Sequence, residues 1–361
     1  MSDNEKELLH VIGTFPDISL KELLTHTKYK WVSTVVKKLE HLKEQAILTG
    51  PLYEINYGKL CRNPFYKVVC IVEFNQSYET VISYLKLIEP LIWVFPVLSQ
   101  HKKVLQVAFL SSDNTEVTAL LQLLKENDII TDYIVRVSRC RRVVENPNLF
   151  GDSIPSLDGL LDHCELPDIS PGGHDTEWTE CDIAVLPYLR KGARLIDILR
   201  EEKKLHRSWT YEQVRYSRDK ISRNGLIKKR YVFLPFPCGQ CVTFHSFLKT
   251  EDTVVTQRIL HNFARGARVY KEYSLYEDWG MLVCSSHPLF LTDVMHGLDQ
   301  IDEIEEKELY QLRSNSGKHY FGRPPQLRYY DYENQTMEYP YSVYKEKIRE
   351  KIESEQVACS I

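Results

Sequence analysis

Ser208-Trp209-Thr210-Tyr211-Glu212-Gln213-Val214-Arg215-Tyr216-Ser217-Arg218-Asp219-Lys220-Ile221-Ser222-Arg223-Asn224 runs without a proline or glycine until it meets Gly225. Leu226-Ile227-Lys228-Lys229-Arg230-Tyr231-Val232-Phe233 then follows, β-rich and opening on a basic triplet. The first stretch reads as a helix closed by a C-cap glycine, and the second as the start of a wing. Upstream, Ile183 to Leu189 and Leu195 to Leu199 read as two shorter helices, with Lys203 to His206 as the break before the third. Three helices and a wing make a winged helix-turn-helix, here expected over 179–236.

The same plan occurs at the N-terminus, over 1–60. Leu8, Leu9 and Ile12 recur at helical spacing and Phe15-Pro16-Asp17 stops them. Ser19, with Glu22 three residues on, has the capping-box order for a short second helix. After the polar break Thr25 to Tyr29, a third helix is expected from Lys30 to Glu44 on the stripe Val32, Val35, Val36, Leu39 and Leu42. Ile47-Leu48 and Tyr53-Glu54-Ile55, around Gly50-Pro51, read as two short strands of a first wing.

Each of these units precedes a segment of βαββαβ order, the split βαβ arrangement of ferredoxin-like domains, over 61–142 and 237–314. Between the passes lies an acidic linker, 143–178, with a short helix conceivable around Leu157 to Leu161. An aromatic-rich tail and a charged C-terminal helix occupy 315–361. The fold class that follows is α+β: two tandem copies of a winged helix-turn-helix followed by a ferredoxin-like domain. Repetition of so many elements in one order carries this reading more than any single motif.

Charge decides where a nucleic acid could sit. The chain has a net charge of -4, which spread evenly would discourage a polyanionic partner. It is not spread evenly. Asp152 to Glu180 holds eight carboxylates and no Lys or Arg, whereas Cys181 to Pro235 holds fourteen basic residues against six acidic ones. The longest apolar run, Glu89 to Leu98, is broken by Pro90 and Pro96 and is far too short for a bilayer span. Met1 to Lys6 is polar, lacking the basic-then-apolar order of a secretory signal, so a cytoplasmic address and reduced cysteines are expected.

At the third helices the sequence resembles the Lrp/AsnC, or feast/famine, family of prokaryotic transcriptional regulators. Leu39-Glu40-His41-Leu42-Lys43 leads to Ala46-Ile47-Leu48, and Ile221 leads to Gly225-Leu226-Ile227. The family pattern has an acidic residue where Lys43 stands, a glycine at Ala46 and an apolar residue at Arg218. The resemblance implies sequence-specific DNA binding and a small-molecule effector at the ferredoxin-like domains, though no effector residues match here. Family members pair through those domains, so two copies in one chain imply a pseudo-dimeric monomer or a homodimer.

Double-stranded DNA is therefore the expected partner. In the first copy Lys30, Ser33, Thr34, Lys37 and His41 occupy the face opposite the apolar stripe. In the second copy Thr210, Gln213, Tyr216 and Lys220 should face outward, flanked by Arg207, Arg215 and Arg223, with Lys228, Lys229 and Arg230 as wing contacts. Cations release counterions from phosphates, and polar side chains on the groove-facing helix read bases. Gln213 would suit adenine, and Lys220 guanine or phosphate.

No catalytic motif is present: the sequence has no phosphate-cradling glycine loop, metalloprotease helix or nucleophile elbow. Cys238-Gly239-Gln240-Cys241 has CxxC spacing without a second pair and reads as a turn of reduced thiols. The expectation is thus a regulator that is not an enzyme, with no metal and no cofactor. The alternatives are a protein-protein scaffold, suggested by the tail tyrosines, and a haem-pathway decarboxylase-like protein on the same fold.

Overall fold

The computed structural model of the chain describes residues 1–138, 140–313 and 319–359. The boundary expected at 314–315, between the second ferredoxin-like domain and the tail, lies outside them. The first pass opens with helices α1 (Asp3–Thr14), α2 (Leu20–Leu23) and α3 (Val32–Glu44), then strand β1 (Leu48–Ile55) and a helical turn α4 (Tyr57–Leu60). Capping boxes set two of the starts: Ser2 with Glu5 for α1, and Ser19 with Glu22 for α2, each satisfying orphan amide donors. Leu8, Leu9, Ile12, Leu23, Val35 and Leu42 turn inward and close one core with Ile47, Leu48 and Phe233.

The first βαββαβ segment is β2 (Tyr66–Phe74), α5 (Tyr78–Leu85), β3 (Leu91–Val97), β4 (Lys103–Ser111), α6 (Asn114–Glu126) and β5 (Asp132–Ser138). A three-residue strand β6 (Val143–Glu145) follows. The second pass repeats α7 (Glu180–Leu189), α8 (Leu195–Lys204), α9 (Tyr211–Arg223) and β7 (Ile227–Phe233). The second sandwich has β8 (Val242–Lys249), α10 (Thr253–Asn262), β9 (Tyr270–Tyr276), β10 (Trp279–Ser286), α11 (Pro288–Asp299) and β11 (Glu306–Gln311). The tail adds β12 (Phe321–Gly322), the small ribbon β13 (Tyr330–Asp331) with β14 (Thr336–Met337), and α12 (Tyr341–Cys359).

The fold class is the α+β duplication of plan read from the sequence. One five-stranded sheet runs β12-β3-β4-β2-β5 and the other β11-β8-β10-β9-β6. Without their end strands β12 and β6, both follow the ferredoxin-like order in which the first and third strands are central. The fifth strand in each case is borrowed from elsewhere in sequence. β6, which follows the first sandwich, adds to the edge of the second sheet through Val143↔Tyr273 and Glu145↔Lys271. β12, which follows the second sandwich, adds to the first sheet through Phe321↔Val94. Covering an open edge in this way removes a template for unwanted pairing.

Two details differ from the sequence reading. The first wing is not two strands around a turn but the single strand β1, which pairs antiparallel with β7, the wing of the second copy. An irregularity between Thr49 and Leu52 absorbs Gly50 and Pro51. The stretch around Leu157 to Leu161 forms a turn rather than a helix, as its Gly159 at φ +71° favours.

Contacts divide the chain into two units, each with its own interior. The first comprises Met1–Leu60, Arg141–Ser274 and Gly280–Leu309; the second Cys61–Cys140, Leu275–Trp279 and Tyr310–Ile361. Both helix-turn-helix modules thus belong to one unit. In the second unit the tail tyrosines are largely inward: Tyr330, Tyr339, Tyr341 and Tyr344 are buried, and Tyr329, Tyr339, Tyr341 and Tyr344 meet edge to face in series at 5.5–6.3 Å. Such contacts add to the burial of the rings themselves. Among the described residues no helix is long and apolar enough to cross a membrane.

Candidate nucleic-acid interface

The third helix of the second copy shows how local chemistry uses up side chains that spacing alone assigns to DNA. Thr210 is the N-cap of α9: its hydroxyl accepts the Gln213 amide, while the Gln213 side-chain oxygen accepts the Thr210 amide at 2.8 Å. Gln213 is exposed, but its acceptor is committed to the cap. Replacing Thr210 by alanine should cost about 1 kcal/mol of stability, read as a lower urea midpoint.

Lys220 is drawn inward. Its ammonium donates to Asp182 Oδ2 at 2.6 Å and to the Glu177 carbonyl at 2.6 Å, and lies 5.2 Å from the centre of the Trp178 ring. Arg207 donates to Glu202 at 3.0 Å, a carboxylate that also accepts from Tyr188 and Trp209. Arg215 sits 3.7 Å from Glu212 and 4.0 Å from Asp219, and Arg218 pairs with Asp219 at 2.7 Å. Tyr216 and Arg223 remain open to solvent on this helix, Tyr216 at 65%.

Strand pairing splits the wing triplet. The register sets Lys228 opposite Glu54, Lys229 opposite Tyr53 and Arg230 opposite Leu52. Lys228 is exposed, and Lys229 lies 5.6 Å over the Tyr231 ring. Arg230 is half-buried; its guanidinium pairs with Glu54, which Arg142 also reaches, and Arg142 in turn holds Glu272 at 2.8 Å. Burial, then the neighbouring Arg142, pushes the Arg230 pKa down to about 10. Arg230 therefore belongs to the joint between the two wings.

The first copy is more open than its balanced charge suggests. Lys30, Ser33, Lys37 and His41 are exposed and Thr34 half-buried, along one face of α3 and its lead-in. Lys28 and Lys38 are engaged by Glu7 and Glu5 at 3.1 and 2.9 Å, whereas among the described residues neither Lys30 nor Lys37 has an ion-pair partner. His41 has Glu44 at 3.9 Å. Trp31, which the sequence reading did not single out, stands at the N-cap of α3 with 71% of its surface exposed. Its position in the turn before the third helix was the available signal.

The two third helices are coupled through the joined wings. Asn56 donates its amide to the Leu226 carbonyl at 2.8 Å, and Lys59 donates to the Asn224 carbonyl at 2.8 Å. Leu234 donates to the Ile47 carbonyl at 2.8 Å at the other end. Cys238 and Cys241 flank a short 3-10 turn, with the Cys241 thiol donating to the Phe236 carbonyl at 3.2 Å.

No family model matches the chain, and no curated protein matches it in sequence. Among solved structures it is similar to the siroheme decarboxylase NirDL, at 12% identity over 97% of this chain and 100% of that one, with a TM-score of 0.49. The same enzyme in co-complex with an iron-uroporphyrin III analogue aligns at 13% identity over 98% and 100%, with a TM-score of 0.48. The leucine response regulatory protein LrpA of Mycobacterium tuberculosis aligns at 18% identity over 38% of this chain and 91% of its own, with a TM-score of 0.30. The expectation that the chain is not an enzyme is corrected by the two full-length matches, both to a decarboxylase. Its structural neighbours thus include both a siroheme decarboxylase and a leucine response regulatory protein.

Proposed function

We propose that this chain is a sequence-specific, DNA-binding transcriptional regulator whose principal contact is α3 of the first copy. The observation that carries the reading is the exposed polar face of Lys30, Ser33, Lys37 and His41, with both lysines uncompensated among the described residues. A free cation displaces counterions from phosphate; one already paired must first break its ion pair. This reverses the weight given to the copies by charge counting. The second copy contributes Tyr216, Arg223 and Lys228, and the paired wings hold the two copies as a pseudo-dimer facing two half-sites. The division at 1–60, 61–142, 143–178, 179–236, 237–314 and 315–361, a small-molecule effector at the ferredoxin-like domains and a cytoplasmic location belong to the same reading.

The test is fluorescence anisotropy with a 30-base-pair duplex across a salt series, then selection from a random duplex library. Lys30→Glu/Lys37→Glu should weaken binding and reduce the slope of log affinity against log salt by about 2. Lys228→Ala should change the slope by about 1 or less. Absence of binding at 50 mM salt, or an unchanged slope in the double variant, overturns the reading. A stoichiometric Soret shift on adding an iron porphyrin to such a DNA-inert protein would assign it to tetrapyrrole chemistry instead.

A further inference from the structure

The end of α5 and the residues that follow it, in the second unit, leave main-chain carbonyls in need of donors, and cations are favoured at that pole of a helix. Arg323 supplies them. Its guanidinium donates to the Leu91 carbonyl at 3.0 Å, to the Lys86 carbonyl at 3.4 Å and to the Ile88 carbonyl. These bonds fix the guanidinium in place, and burial depresses its pKa.

Beside it lies a cavity of about 330 Å³ whose wall includes Lys86, Glu89, Arg323, Gln326, Arg328 and Lys347. Four cations thus converge where there is one carboxylate. That carboxylate is fully engaged: Glu89 accepts from Arg328 at 2.5 and 2.6 Å and from the Tyr329 hydroxyl at 2.9 Å. Lys86 is exposed, 4.9 Å over the Phe321 ring, and Lys347 is exposed on α12. Among the described residues neither lysine has an ion-pair partner. A concave wall of uncompensated like charge focuses potential and recruits counter-ions. Its volume, at the small end for ligand pockets, suits a compact molecule.

We infer that this cavity binds a small polyanion carrying two or more phosphate or carboxylate groups, with Lys86, Lys347 and Arg323 as its charge partners and Gln326 as a neutral donor. The site goes beyond the DNA reading and does not depend on it. Arg323 is rigid because its remaining donors serve the backbone; the two lysines are mobile point charges that close on the ligand.

Isothermal titration of the full chain at low salt with pyrophosphate, and separately with citrate, tests the site. One-to-one binding of either is expected, and the tighter of the two identifies phosphate or carboxylate as the recognised group. Lys86→Glu/Lys347→Glu changes only exposed side chains, so its thermal midpoint should match the unaltered protein while affinity falls roughly 100-fold or more. Lys86→Gln/Lys347→Gln, with smaller loss, covers the case in which charge reversal unfolds the chain. Lys30→Glu/Lys37→Glu should leave polyanion binding unchanged. Failure of both anions to bind, or equal affinity in the glutamine double variant, overturns the inference.

Discussion

Glu54→Ala is expected to lower the free energy of unfolding by about 3–5 kcal/mol, measured as a shift of the urea midpoint at constant slope. Glu54 accepts from both Arg142 and Arg230, and the Arg230 side chain is only 14% exposed. Removing the carboxylate leaves a largely desolvated guanidinium facing a second one. Burial already depresses its pKa, and the carboxylate that remains nearby, Glu272, is shared with Arg142. Arg142, at 39% exposure, retains Glu272 and water and contributes less to the loss. The double variant Glu54→Ala/Arg230→Leu takes away the orphaned charge as well and should recover more than half of the stability. If the single variant loses under 1 kcal/mol, the pair is not what joins the wings. Because β1 and β7 carry the two helix-turn-helix modules, Glu54→Ala should also uncouple their contributions to the proposed DNA binding.

This joint was the least legible part of the sequence. Ile47-Leu48 and Tyr53-Glu54-Ile55 carry β character, and so does Tyr231-Val232-Phe233; alternation identifies a strand without naming its partner. A hairpin within one copy was the local solution, and pairing between copies separated by more than 170 residues was the one adopted. The same holds for β6 and β12. Val143 to Glu145 reads as the start of the acidic linker, and its pairing with the edge of the second sheet rests on partners more than 120 residues away. By contrast, element types and order were legible, because the capping pair Ser19 with Glu22 and the helix stop at Gly225 are written in residues three or four apart. Site residues divided along the same line. Exposure of Ser33 and Lys37 followed from helical spacing, whereas Lys30, also exposed, stands before the N-cap Trp31 rather than on the helix. The engagement of Lys220 did not, since its partner Asp182 lies 38 residues away on another helix.

That partner supplies the second large effect. Asp182→Ala should cost about 3–5 kcal/mol, because Asp182 is 1% exposed and performs two tasks with one oxygen. Its Oδ2 accepts the Thr179 amide at 2.9 Å, closing the capping box of α7, and accepts the Lys220 ammonium at 2.6 Å. Loss of the cap alone accounts for about 1 kcal/mol. The remainder arises from Lys220, whose side chain is 16% exposed and would keep only the Glu177 carbonyl and the Trp178 ring. Asp182→Asn separates the two: the amide oxygen can still accept from Thr179, so the cap survives while the charge is lost, and an intermediate stability is expected. Lys220→Met should be milder than Asp182→Ala, since the carboxylate keeps its amide donor and methionine fills the space beside Trp178. Equal losses in Asp182→Asn and Asp182→Ala would show that the cap contributes nothing; wild-type stability in both would show that Lys220 reaches solvent. In that event Lys220 would be released to the exposed face of α9, and the salt dependence of the proposed DNA binding would steepen by about one phosphate contact.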